Sequence, residues 1–172
     1  MGRISIEEEK LSYLKKLTSQ EKIAKAALTD SSWEVRLKAV EMLTDDVALS
    51  KVAIIDDMIR ICLEAAKKIT NETQLCEVAK KSRFPDVRGE AVRKITFEPT
   101  LEDIALNDYN TNVKLWAVEG IEDESRLVNI VNQTKDESVA YRIIKNLSKE
   151  SLAKVQSDNW FIMEKVEDLL SK

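Results

Sequence analysis

The 172-residue chain contains no histidine. That removes the Ser-His-Asp and Cys-His nucleophile arrangements and the usual nitrogen ligands of zinc. There are only three glycines and two prolines. Three scattered glycines cannot build a phosphate-cradling loop, and so few turn formers do not suit a sandwich of many short strands. The two cysteines, Cys62 and Cys76, form no C-x-x-C, so neither zinc-site nor redox-motif spacing is met. Both fall on apolar-periodic segments, where buried, inert thiols are expected. No apolar run approaches the length needed to span a bilayer. The N-terminus, MGRISIEEEK, turns acidic at once and lacks a signal-peptide core. It carries Ile6 where a myristoylation pattern has Ser or Thr. These absences lead us to expect a soluble, cytoplasmic protein with no catalytic residues, no metal, no cofactor and no membrane partner. With a net charge of −4, the whole chain does not have the balance of a dedicated DNA binder.

What is present is helix-forming material: 44% apolar and 34% charged residues, arranged in a repeat. VRLKAVEMLT at 35–44 and VRGEAVRKIT at 87–96 are near copies, two periods of 26 residues apart. Val35, Ile61, Val87, Val113 and Val139 make one column. Ala39, Ala65, Ala91, Ala117 and Ile143 follow four residues later, then the columns of Val40 and Leu43. A second block begins at Leu49, Leu75, Leu101 and Leu127, with Val52, Val78, Ile104 and Ile130 three residues on. Both blocks show the spacing of a helix lying on a core. Turn and cap letters separate them at 44–46, 70–72, 96–99 and 122–125. Twenty-six residues hold two short helices and two tight turns and no third element.

The expected fold is therefore all-α: an alpha-alpha superhelix of about six helical-pair repeats, with about thirteen short helices. No linker or low-complexity stretch interrupts residues 1–172, so one domain is expected. A capping helix lies in 1–18, repeats in 19–156, and a second cap in 157–172. At the first cap, Glu9 occupies the column of Val35. Near the second, three residues are missing, after which Trp160 aligns with Trp33 and Ile162 with Val35. Atypical terminal repeats are what a stack requires.

The pattern V-R-x-x-A-V-x-x-[IL] resembles the second helix of a HEAT repeat, especially the short bacterial HEAT-like and leucine-rich-variant types. The resemblance covers roughly residues 9–170 and places the chain among HEAT/armadillo-like solenoids. It implies that an Asp six residues before the Arg helps link successive repeats, which here singles out Asp30 with Arg36 and Asp108 with Lys114. The chain departs from that pattern at Asp56 with Cys62, Ser82 with Arg88, and Thr134 with Ala140. The resemblance also implies that the VR-type helices line the concave side.

On that side, Lys67, Lys68, Arg93 and Lys94 occupy two adjacent columns of consecutive repeats, and a basic cluster about 10 Å across is expected. Arg142 and Lys145 add positive charge further on. Trp116 lies in an exposed-type column among them, and an aromatic beside cations is an anchor for a peptide or a base. Charge also segregates along the chain. Residues 60–95 hold nine Lys/Arg and five Asp/Glu, whereas 96–138 hold three and ten. Solvated Lys and Glu on soluble helices would produce part of this pattern without any partner. The run Glu119, Glu122, Asp123, Glu124 lacks the ligand spacing of a cation loop and reads as a charged helix end. Trp33 and Trp160, each just before a helix, are expected to pack over the preceding turn.

The expected function is a non-catalytic scaffold that binds a protein or peptide partner through the VR-type helices, as a monomer. Alternatives are nucleic-acid binding, since HEAT-like DNA glycosylases resemble this architecture, and a HEAT-like subunit of a bilin lyase. A self-assembling piece of a longer array is a further reading.

Overall fold

The structure, a computed structural model, describes residues 5–172. Residues 1–4 of the expected N-terminal cap lie outside the described residues. Among the described residues the secondary structure is thirteen helices and no strand. In chain order they are α1 (Ile6–Leu14), α2 (Gln20–Thr29), α3 (Trp33–Met42), α4 (Asp46–Ile55), α5 (Ile59–Lys68), α6 (Glu72–Lys81) and α7 (Pro85–Val92). Then come α8 (Glu98–Asn107), α9 (Thr111–Glu119), α10 (Glu124–Gln133), α11 (Glu137–Ile144), α12 (Lys149–Leu152) and α13 (Trp160–Leu170). The even-numbered helices α2 to α10 each start 26 residues after the last, as the repeat predicts.

Local chemistry sets these boundaries. Ser19, Asp45, Asn71 and Asp123 sit at N-caps, and each side chain accepts a backbone N–H of the first turn. Helix α8 has no such cap but carries Pro99 in its first turn. Helix α1 opens with a reciprocal Ser5–Glu8 capping box, and Glu7, Glu8 and Glu9 fill its first turn. The even-numbered helices α2 to α10 end on an extended residue, at Asp30, Asp56, Ser82, Asp108 and Thr134. The next helix then starts within three residues.

The columns read from the sequence are the core. Val35, Ile61, Val87, Val113 and Val139 are all at most 2% exposed. The Ala39 column and Val52, Val78, Ile104 and Ile130 are buried as well. Each such Val, Leu or Ile contributes about 1.5–3 kcal/mol when fully buried. Helix α12 is a single turn, so the three-residue deletion falls on the second helix of the last pair. Helix α13 recovers the register, with Ile162 and Val166 buried.

Three details differ from expectation. Cys62 is buried, but Cys76 is only half-buried. Trp160 is 76% exposed and does not fold over the preceding turn; its ring meets that of Phe161 edge-on, with centroids 6.2 Å apart. Trp33 keeps 37% exposure, with the Arg60 guanidinium 6.0 Å from its ring centroid.

The chain falls into two compact units, Met1–Ala91 and Val92–Lys172, and the boundary lies within α7 rather than in a linker. In the first, α2 packs on α3 and α4 on α5, while α4 also contacts α2 and α6. In the second, α8 packs on α9 and α10 on α11, and α9 meets α11. Contacts between consecutive pairs are those of a helical-repeat solenoid.

Polar ladders run across these pairs at both edges. At one edge, the first residue of an even-numbered helix accepts from backbone N–H groups of the turn one repeat ahead. The Gln20 side-chain oxygen takes the Thr44 N–H at 2.8 Å. Asp46 takes those of Thr70 and Asn71 at 3.1 and 2.6 Å. Glu98 takes those of Glu122 and Asp123 at 3.0 and 3.4 Å, and Glu124 that of Ser148 at 2.9 Å. A carboxylate at that position satisfies turn donors and also faces the positive end of its own helix. Hydrogen bonds from Ser148 and Ser151 hold the Glu124 carboxyl below its ordinary value.

At the other edge, Lys10 pairs with Asp30 at 2.9 Å, and Arg36 pairs with Asp56 at 2.8 Å and Asp57 at 3.0 Å. The six-residue relation between Asp30 and Arg36 runs through the backbone, since Arg36 Nη1 donates to the Asp30 carbonyl at 3.1 Å. Arg88 does the same to the Ser82 carbonyl at 3.0 Å, and Cys62 Sγ to that of Asp56 at 3.3 Å. Burial would raise the Asp56 carboxyl, but Arg36 and the Met58 N–H outweigh it and leave it below its ordinary value. Asp30 is lowered in the same way, with Lys10 and the Ser32 N–H overcoming burial. The Asp108 carboxylate takes the Asn110 N–H at 2.8 Å, and Lys114 stands half-buried on α9.

Candidate functional site

The candidate site lies in the second unit, on the faces of α9 and α11. Val113, Ala117 and Val118 bury one side of α9, and Val139, Ala140, Ile143 and Ile144 one side of α11. Trp116, Glu119, Tyr141, Arg142 and Lys145 thereby stay at the surface. The Arg93 guanidinium lies 4.0 Å from the Trp116 ring centroid. That places a cation on the ring's negative face and leaves Trp116 half-buried. A stacked guanidinium keeps its N–H donors in the plane of the group, where a carboxylate can meet two of them. One repeat on, Arg142 Nη1 pairs with Glu119 Oε1 at 3.0 Å, and the Lys145 ammonium stands 5.5 Å from the Tyr141 ring. Arg142, Lys145 and Tyr141 line an open groove of about 550 Å³ together with Leu115, Ser138 and Asn146.

The remaining site residues expected from the sequence are placed as follows. Lys67 and Lys68 end α5 in the first unit, in a last turn where positive charge suits the helix dipole. The Lys68 ammonium donates to the Glu41 carbonyl. Arg93 and Lys94 follow α7 in the second unit. Three members of the acidic run, Glu119, Asp123 and Glu124, are engaged by neighbouring groups. Glu119 pairs with Arg142, Asp123 accepts the Ser125 N–H at 2.8 Å, and Glu124 holds Ser148. No group of three or more Asp, Glu, Cys or His among the described residues is arranged to hold a metal ion. None of the helices described is long and apolar enough to cross a membrane.

Sequence reasoning missed Tyr141 and the pairing role of Glu119. The 26-residue columns do not display the offset that brings these residues together. A residue of the Trp116 column meets the one 23 positions earlier, so Trp116 meets Arg93 and Arg142 meets Glu119.

Gly120 caps α9 in ordinary right-handed geometry. A Cβ there would stand 2.8 Å from Leu101 Cδ1, so Gly120 permits close approach of α8 to the end of α9.

No protein-family model matches the chain, and no curated protein matches it. Fold and packing define an all-helical protein of stacked 26-residue helical pairs.

Proposed function

We propose that the protein is a non-catalytic scaffold that binds an acidic segment of a protein or peptide partner across α9 and α11. HEAT-like kinship and a cytoplasmic, monomeric state belong to the same reading. The observation that carries it is the Arg93 guanidinium 4.0 Å over Trp116. A cation resting on the ring has less side-chain freedom to lose when a carboxylate binds it. The groove beside Arg142 and Lys145 continues the positive surface and offers Leu115 and Tyr141 as apolar contacts. Aromatic and arginine side chains are the residues that most often dominate binding energy at interfaces.

The test is a selection from a displayed random-peptide library on purified protein, repeated on R93E and W116A. Acidic peptides should be enriched on the wild type and lost from both variants, with the melting temperature kept. Enrichment without acidic character, or enrichment that survives both substitutions, removes this face as the site. Retention of duplex DNA with a steep salt dependence would move the reading to nucleic acid.

A further inference from the structure

The two contacts that build the α9–α11 face are one contact repeated. Arg93 and Glu119 stand 26 residues apart, and so do Trp116 and Arg142. Arg93 over Trp116 at 4.0 Å and Glu119 with Arg142 at 3.0 Å are therefore equivalent positions in consecutive repeats. Each brings one guanidinium to the surface, and both lie in the second unit. Their surroundings differ. Arg93 rests on the ring and has no carboxylate partner among the described residues. Arg142 already holds a carboxylate, that of Glu119.

Glu119 stands where helix electrostatics do not favour it. It is the last residue of α9, the end at which the dipole disfavours negative charge. In the other repeats its column holds Lys67, Arg93 and Lys145, and a second acid only at Glu41, which pairs within its own helix with Lys38. Glu119 reaches across to α11 instead. Its side chain is 54% exposed and that of Arg142 50%. An ion pair so exposed is weak enough for an incoming carboxylate to exchange with Glu119.

The spacing of the two contacts sets the pattern of the incoming chain. Helices α9 and α11 pack on one another, and packed neighbours lie about 8–10 Å apart. Equivalent positions one repeat apart are separated by about that distance. An unfolded peptide favours polyproline II geometry, with three residues per turn and a rise of about 3.1 Å each, so side chains i and i+3 share one side about 9 Å apart. A β-strand would put the same two residues on opposite faces.

Resting on the reading of α9 and α11 as the binding face, we propose that Arg93 and Arg142 are two carboxylate stations and that Glu119 fills the second until the partner displaces it. The partner is an extended acidic segment with carboxylates at positions i and i+3.

The test is fluorescence anisotropy with three labelled peptides of one composition, whose two glutamates stand one, three or five positions apart in an alanine and proline background. The peptide with glutamates three apart should bind wild type about fivefold more tightly than the other two. E119A should tighten that peptide about threefold with its melting curve in place, because the side chain is exposed. E119A/R142A should bind no more tightly than R142A. Equal affinity at all three spacings, no gain in E119A, or a gain that persists without Arg142 would overturn the proposal; loss of binding in R93E would then still keep the face as a binding site. Binding by none of the three peptides, or binding that R93E leaves intact, would remove the face itself and the proposal with it.

Discussion

On α3 and α5, Lys38 pairs with Glu41 at 2.6 Å and Lys68 reaches the Glu41 carbonyl. At the columns of Lys38 and Glu41 in the second unit, Trp116 lies under Arg93 and Arg142 pairs with Glu119. The core beneath is the same in both places, with Val35, Ile61, Val113 and Val139 buried to the same degree. In the first unit these columns hold Lys38, Glu41, Glu64, Lys67 and Glu90, of which Lys38 and Glu41 satisfy one another. In the second, two aromatics are interleaved with the cations. A repeat core leaves its face columns free to vary, so a site is to be sought where those columns depart from Lys and Glu.

The comparison separates residues that hold the stack from residues that dress it, and substitutions can break or sharpen it. The largest effect is expected at Arg36, whose side chain is 13% exposed and whose partner Asp56 is 4% exposed. R36M leaves a buried carboxylate without its cation and should lower unfolding stability by about 3 kcal/mol, read from urea unfolding. A loss under 1 kcal/mol would mean that this ladder does not help to hold the repeats.

Acid should act through the same groups. Asp30 and Asp56 have folded values below their unfolded ones. Their contribution is therefore complete above the unfolded value and is lost as pH falls through the folded one. Urea midpoints should drop below about pH 4, and D56N should drop less steeply than wild type. Alkali acts on a different group. Burial first, and the Asp56 charge second, push the Cys62 thiol up to about 11. A raised value contributes fully below the unfolded value near 9 and is lost as pH rises toward 11. In the folded protein at pH 8, a disulfide reagent should modify half-buried Cys76 well before Cys62. Equal rates would show that the α4–α5 core opens readily.

Substitutions on the two faces should hardly move stability. E119A removes an exposed pair with Arg142, and K38A removes one with Glu41. Each should change stability by about 0–1 kcal/mol in calorimetry. A larger loss at E119A would make the second face structural.

The strict 26-residue spacing made much of the fold readable. Apolar letters at fixed offsets leave one helical register, and Val35 through Val139 occupy it. The deletion near the end was also readable, because Trp160, Ile162 and Val166 resume the Trp33 register. The hydrogen-bond ladders were not. Asp46, Glu98 and Glu124 looked like ordinary first-turn acids, and their reach to the next turn depends on how repeats stack. The exposure of Trp160 was hidden for a similar reason, since the shortened α12 changes what precedes it. At the candidate site the individual letters stood out, but the pairing of Trp116 with Arg93 depends on a 23-residue offset between neighbouring helices that the 26-residue columns do not display.

The most direct measurement compares the two faces with one ligand. An acidic peptide selected on the wild type would be titrated into wild type, R93A/W116A and K38A/K68A. The account predicts at least a tenfold loss of affinity, about 1.4 kcal/mol, in R93A/W116A and less than a twofold change in K38A/K68A. Equal affinity in all three, or a loss confined to K38A/K68A, would contradict it.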